Sequence, residues 1–388
     1  MYSIDLSYKS FIYPWQNISI FQRIALLGKK ANKPCIVYIY ESPNASTFRY
    51  RVYNMCQILN KNQAFCATYV FVDELPFLLN YLDYVDFLVL VRVRWSLKID
   101  ALLAKSSARD IKIFFDMDDL VYDVAKIPLI MSSLAVHEDE DSHNSWFSYI
   151  SRIFLTAKNA DGFITTNYFL AEKLSSFFNR KCFVIQNFMN EEQINVSDKI
   201  FELKKKLAFE KDAILIGYFS GSPSHNNDFM SISSELYYLM KSDDRIKLRL
   251  VGFLDMPPSL YEFYSAKRIE CIPLQNYLDL QVKIAECDIN IIPLLVNEFT
   301  HCKSELKYFE AAIVATESVA TPTFVYQKII QDGKNGYLAN QGEWQQKISD
   351  LIYKHKDNTL EAARQYVLDN YFGEEVRRKI EGVFSESI

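Results

Sequence analysis

Lys303, Ser304, Lys307 and Glu310 lie close together in the stretch His301-Cys302-Lys303-Ser304-Glu305-Leu306-Lys307-Tyr308-Phe309-Glu310-Ala311-Ala312. A strand-like segment, Asp288-Ile289-Asn290-Ile291-Ile292-Pro293-Leu294, feeds it. Ser304 reads as an N-cap, and Glu305 in the first turn suits the positive end of a helix dipole. At about 100° per residue, Leu306, Phe309 and Ile313 form one apolar stripe, with Lys303, Lys307 and Glu310 on a neighbouring face. Ammonium groups at a helix start make an anion site. A carboxylate one turn further in can accept hydrogen bonds from a diol. The arrangement suits a nucleoside diphosphate, with phosphates at the helix tip and ribose beside Glu310. The plainer alternative is a solvated face with a Lys307–Glu310 pair at i,i+3.

Other residues with chemical potential are spread along the chain. Asp116, Asp118 and Asp119 form the strongest carboxylate cluster, suited to binding hydroxyls or to capping loop amides. Gly221 and Ser222 follow a strand-like run, Ala213–Phe219, and open a small-residue loop that continues through Pro223-Ser224 to His225. The His225 imidazole could contact a phosphate or a substrate hydroxyl, or make a loop hydrogen bond. Arg92 and Arg94 end another strand-like run and could anchor an anionic ligand or pair with the Asp cluster, with Trp95 placed to stack on one of them. Arg49 and Arg51 follow the loop Glu41–Thr47 and carry the same ambiguity. His301 and Cys302 lack a second Cys/His pair, so the expectation is no metal site.

Positioning these groups requires repeated strand and helix units. Near-continuous apolar runs at Cys35–Tyr40, Ala67–Val72, Asp86–Arg94 and Ile111–Asp119 alternate with helical stretches. Asp161–Thr166 and Cys182–Ile185 continue the series. This is the pattern of a parallel sheet covered on both faces, where ligands bind beyond the carboxyl ends of the strands. A charged segment, 190–210, reads as an interdomain connection. A second α/β set follows, with strands at Ala213–Phe219, Lys247–Phe253, Ile269–Pro273, Asp288–Leu294 and Thr323–Tyr326. Residues 344–384 read as helical, and a cleft between the two sets is the expected ligand site.

Composition narrows the function. The 388 residues fit two domains. A net charge of -5 argues against a general nucleic-acid binder. The seven Cys are scattered, odd in number and without a CxxC, which reads as reduced thiols in a cytoplasmic protein. No apolar run reaches transmembrane length. Ile18–Leu27 could form a short amphipathic helix that, with Lys29 and Lys30, offers a candidate peripheral contact at the inner face of the membrane, although a helix packed on the domain is the stronger alternative.

The order of motifs resembles that of GT-B glycosyltransferases of the retaining, family 4-like class that builds bacterial polysaccharides. The matching pieces are Phe115-Asp116-Met117-Asp118-Asp119, Ala160–Thr166, Val184–Asn187, Ile216–Ser222 with His225, Leu250–Gly252, Lys303–Ala312, and Gly333–Leu338 with Trp344. The resemblance implies an α/β protein of two doubly wound Rossmann-like domains. Residues 1–190 would face the acceptor and 191–212 would link the domains. Residues 213–370 would bind the nucleotide-sugar, and a C-terminal helix at 371–388 would pack back toward the first domain. It implies hexosyl transfer from a nucleotide-sugar donor to a glycan or lipid-linked saccharide, as in O-antigen-type synthesis, with association with other glycan-synthesis proteins a further candidate. No cofactor and no essential divalent metal are expected. Glu310, Lys303, His225 and Asp118 are the expected catalytic residues, with Gly221, Ser222, Lys303, Ser304, Lys307 and Glu310 holding the donor. Glu310 matches the second Glu of the family's Glu-x7-Glu motif, while Cys302 stands where the first would be. The family's Arg and Lys after the first strand of the second domain are also missing, and Lys303 and Lys307 are the candidates to replace that charge. Asp-Met-Asp also has the form of the metal-binding Asp-x-Asp of GT-A enzymes, a reading opposed by the full second α/β set. The rival functions are a nucleotide-sugar epimerase on the same fold and an inactive glycan-binding subunit.

Overall fold

The structure is a computed structural model that describes residues 3–29, 33–61, 64–206, 212–222, 225–353 and 359–386. It contains two six-stranded sheets, and every strand pairing within them is parallel. The first sheet has β1 (Cys35–Tyr40), β2 (Cys66–Phe71), β3 (Phe87–Val91), β4 (Lys112–Met117), β5 (Gly162–Thr165) and β6 (Cys182–Val184), in the order β2-β1-β3-β4-β5-β6. The second has β7 (Ile214–Ser220), β8 (Ile246–Gly252), β9 (Ile269–Ile272), β10 (Ile289–Ile292), β11 (Glu317–Ala320) and β12 (Tyr337–Leu338), in the order β12-β11-β10-β7-β8-β9. Helices on both faces bury the central strands. Ile36, Val37, Leu88, Val89, Phe115 and Phe163 are inaccessible, as is Ile291 in the second sheet. The covering helices start at residues that can cap them: the Ser96, Asn167 and Asn276 side chains each accept from backbone amides of the first turn.

Two segments differ from the sequence-based expectation. Thr323–Tyr326 is not a strand. Thr323 is extended and Phe324–Ile329 is helical, and the strand lies earlier at Glu317–Ala320, between β10 and β12. Ser304 is not an N-cap. A short helix, Glu298–His301, follows β10, and the next helix runs from Leu306 to Ala312 with Glu305 at the N-cap position. The hydroxyl of Ser304 instead accepts a bond from Asn187 Nδ2 at 3.1 Å.

The charged segment near 190–210 contains the helix Glu191–Lys206, which packs against Tyr277–Ala285 in the second domain. Lys204 Nζ donates to the Ala315 carbonyl at 2.6 Å. Residues 207–211 of the expected connection lie outside the described residues.

Both ends of the chain cross to the opposite domain. The N-terminal segment lies on the helix Tyr277–Ala285, where the Tyr8 amide donates to Asp279 at 2.6 Å. Trp15 then packs on Phe48 and Tyr53 of the first domain and stacks beside Tyr277. The C-terminal helix Glu374–Ser385 runs the other way, and its buried Phe384 packs among Phe65, Phe87 and Phe114. The helix Ile20–Ile24 covers part of β2, with Phe21 71% exposed. The Lys29 side chain and Lys30, expected beside it, lie outside the described residues.

Candidate active site

The carboxyl ends of the two sheets meet, and most of the singled-out residues lie there. In the second domain β7 delivers Ser220-Gly221-Ser222. Close packing holds that loop: the Ser220 hydroxyl donates to the Ser222 carbonyl at 2.7 Å, and the Ser220 carbonyl accepts from the Phe253 amide at 3.2 Å. Gly252, at φ +94, sits so near that a Cβ would lie 1.9 Å from the Ser220 oxygen. Pro223 and Ser224 lie outside the described residues.

His225 resumes beyond them. Its Nδ1 lies 2.9 Å from Asp228 Oδ2, and the other carboxylate oxygen accepts from the Leu295 amide at 2.9 Å. Burial, helped by the Lys307 charge, pulls the imidazole down to about 4, so it is neutral at pH 7. Because Asp228 is an acceptor, Nδ1 carries the hydrogen and Nε2 is left able to accept one. His225 is therefore suited to a hydroxyl rather than to charge pairing with a phosphate.

Lys307 follows from the neighbouring helix. Its Nζ is buried, has no hydrogen-bond partner, and stands 5.0 Å from the ring centroid of Tyr218. Burial lowers its pKa to about 8, with Lys303 adding repulsion and Asp228 and Glu310 opposing. An unpartnered buried ammonium is costly; here it points to an anion. The helix carrying it has seven residues, so side-chain charge is the main attraction available there.

The other groups are engaged across the domain boundary. Lys303 Nζ pairs with Asp119 at 2.9 Å and lies over the Phe299 ring. Glu310, 5% exposed, accepts from the Tyr50 hydroxyl at 2.5 Å and from Arg49 Nη2 at 3.3 Å, both on Oε1. Burial raises the Glu305 pKa, and Gln186 at 2.6 Å and Tyr371 at 2.8 Å donate to its Oε1. Cys302 is fully buried, and its carbonyl accepts from Asn167 at 2.8 Å.

In the first domain the three aspartates have separate roles. Asp116 is inaccessible and held by Arg51 through Nε at 3.0 Å and Nη2 at 2.8 Å. Burial raises it to about 6 despite that partner. Asp118 would also be raised by burial, but the positive charges of Arg92 and Arg51 and the Thr47 hydroxyl hold it below the usual range. It accepts from Arg92 and from Thr47, each at 3.0 Å. Asp119 meets Lys303. Arg92 has φ +48, an uncommon backbone for a residue with a side chain, and also donates to the Tyr149 hydroxyl at 2.8 Å. Arg94 turns away from the aspartates to Glu41.

The structure thus gathers Lys303, Ser304, Lys307, Glu310, His225 and Asp119 near one seam, with Asp118 beside them on the first-domain side. Asp116 forms a structural ion pair. Arg49 and Tyr50 were not expected to reach Glu310. The one hint was the unexplained arginine pair after the 41–47 loop. Among the described residues, no group of three or more His, Cys, Asp or Glu side chains is arranged to hold a metal ion. No described helix is long and apolar enough to cross a membrane.

Two Rossmann-like domains joined in this way, with their sheets' carboxyl ends facing, define the GT-B fold. No protein-family model and no curated protein matches the chain. Solved structures do. Anabaena HepE, solved with UDP and glucose, is 12% identical with a TM-score of 0.60, covering 91% of this chain and 100% of its own. Sucrose-phosphate synthase from Thermosynechococcus elongatus is 12% identical with a TM-score of 0.61, covering 92% and 99%. A glycosyltransferase from Rickettsia africae is 13% identical with a TM-score of 0.58, covering 92% and 98%.

Proposed function

We propose that this chain is a glycosyltransferase that moves a hexose from a nucleoside-diphosphate sugar to a hydroxyl of a glycan or lipid-linked saccharide. The observation that carries the reading is the buried, unpartnered Lys307 ammonium, beside Lys303 and Glu310 at the carboxyl ends of a GT-B second sheet. HepE, with the same fold, was solved with UDP and with UDP-glucose, which makes UDP the first nucleotide to try.

Departure of the diphosphate develops negative charge. Lys307 and Lys303 stabilise it at fixed positions in a partly buried seam, where one well-placed donor is worth roughly 3–4 kcal/mol. Glu310 takes the ribose hydroxyls. His225 Nε2 accepts from a sugar hydroxyl, while Asp118, kept ionised by Arg92, orients the acceptor. In a retaining, front-face reaction the leaving phosphate oxygen takes the acceptor proton, and no protein base is needed. The proposal places this work at a cytoplasmic face, in bacterial surface polysaccharide synthesis, with the exposed Phe21 as a candidate peripheral membrane contact.

A second reading is a glycan-binding subunit without transfer, favoured by Cys302 in place of a carboxylate and by Glu310 being already engaged. Thermal unfolding with UDP, GDP, dTDP and CMP separates the two. A ligand at about 100 times its Kd adds roughly 2.7 kcal/mol, a shift of several degrees. A shift with one nucleotide that weakens in Glu310→Ala supports the donor site and names the donor base. No shift with any nucleotide in folded protein supports the second reading.

A further inference from the structure

Two of the groups assigned to the donor have partners within the protein. Lys303 holds the Asp119 carboxylate at 2.9 Å, and Glu310 holds the Tyr50 hydroxyl at 2.5 Å and the Arg49 guanidinium at 3.3 Å. All three partners come from the first domain, and both contacts join it to the second. Each partner also imitates part of a donor: a carboxylate stands on the lysine where phosphate charge would sit, and hydrogen-bond donors stand on the glutamate where a diol would sit. The seam they close is incomplete. Arg49 Nη1 is buried without a partner, as is Lys307 Nζ, and orphaned charged donors of this kind are rare in a finished interface. Arg49 remains in place because its guanidinium lies over the rings of Tyr50, at 4.1 Å, and Tyr277, at 4.5 Å.

We propose that Asp119, Arg49 and Tyr50 are place-holders that the donor displaces, so that two separate latches must be exchanged before the site is filled. This rests on the donor-site reading above. The two latches require different chemistry. An anion competes best with Asp119 for Lys303, and a diol's hydroxyl donors compete with Tyr50 and Arg49 for Glu310. A molecule with both, a nucleoside diphosphate, opens the pair. Pyrophosphate or a nucleoside alone opens one and leaves the other shut. Each latch therefore weakens only the ligands that open it, so an intact nucleotide bears both costs and each fragment one, and Asp119, Arg49 and Tyr50 set those costs from the acceptor-side domain.

Titration calorimetry on the full chain tests this with UDP, GDP, dTDP, their nucleosides and pyrophosphate. The variants are Asp119→Asn, which preserves shape and the oxygen that the Leu120 amide donates to, and Tyr50→Phe, which keeps the ring under Arg49. A lost charge-assisted bond corresponds to about ten-fold in affinity or more. The expected result is separable. Asp119→Asn tightens the nucleoside diphosphate and pyrophosphate about ten-fold and leaves the nucleoside unchanged. Tyr50→Phe tightens the nucleoside diphosphate and the nucleoside and leaves pyrophosphate unchanged. Wild type that binds a nucleoside diphosphate while both variants bind it equally or more weakly overturns the latches and leaves the donor site standing. No nucleoside diphosphate bound by wild type or either variant overturns the donor site, and the latches with it.

Discussion

Replacing Lys307 by Met should stabilise the protein and impair it together. The lysine side chain is packed, and its Nζ is buried beside Tyr218 without a hydrogen-bond partner. Its folded pKa is about 8 against an ordinary 10.5, chiefly through burial. That distance, at about 1.4 kcal/mol per pH unit, makes a penalty of about 3 kcal/mol. The sign follows from proton counting. Below pH 8 the amine is charged in both states, and the folded state carries the full cost. Between pH 8 and 10.5 the folded chain has released the proton and the unfolded chain still holds it, so stability rises with pH. Above 10.5 the cost is gone. Met keeps most of the volume without the charge. Lys307→Met should therefore gain about 3 kcal/mol at pH 7, roughly 6–12 °C in the midpoint of the second domain's unfolding, and the gain should shrink markedly by pH 9.5. Nucleoside diphosphate affinity should fall in the variant, and in wild type it should decline as pH rises above 8. Urea unfolding at pH 7 and 9.5, with nucleotide titration at both, reads all of this. A variant less stable than wild type at pH 7, or a gain equal at the two pH values, would show that Lys307 is not a strained cation.

Two other substitutions test the supports of the site. Gly252→Ala combines a left-handed backbone with a Cβ only 1.9 Å from the Ser220 oxygen. It should cost more than about 1–2 kcal/mol and abolish nucleotide-induced stabilisation by moving the 220–222 loop; unaltered nucleotide binding in folded variant would remove that loop from the site. Arg51→Met leaves the inaccessible Asp116 without its cation and should cost about 3–5 kcal/mol. Since Asp116 already titrates near 6, above its unfolded value, the loss should be larger at pH 8 than at pH 5, as urea midpoints at the two values will show.

The alternation of apolar strands with helices was legible because central strands of a parallel sheet are buried on both faces and carry uninterrupted apolar runs. It misled at β11. Glu-Ser-Val-Ala begins with a carboxylate that burial raises to about 7, whereas Thr-Phe-Val-Tyr has the β-branched and aromatic composition of a strand and forms a helix entry instead. Pairing between β10 and β12 outweighed local preference. At the site, Lys303, Lys307 and Glu310 could be grouped because they share one short stretch. Their partners could not. Tyr50 and Glu310 are 260 positions apart, and Lys303 and Asp119 are 184 apart. A contact of that span leaves no periodicity in the sequence. Arg49 and Arg51 show the same limit. Two residues apart and alike in type, one reaches Glu310 and the other a buried structural aspartate.

The crossing of the two chain ends bears on how the protein is made. A ribosome delivers the first sheet early, at about 5–20 residues per second, and N-terminal domains usually fold as they emerge. Here the aromatic floor formed by Phe65, Phe87 and Phe114 stays open until the helix Glu374–Ser385 has been made and Phe384 can cover it. The strand-bearing first half therefore waits until the helix beyond residue 373 has been made, with apolar rings uncovered, which makes the nascent chain a natural client for chaperones that shield such surface. A premature stop shortly before residue 374 would leave both sheets encoded and yet release a chain prone to aggregate.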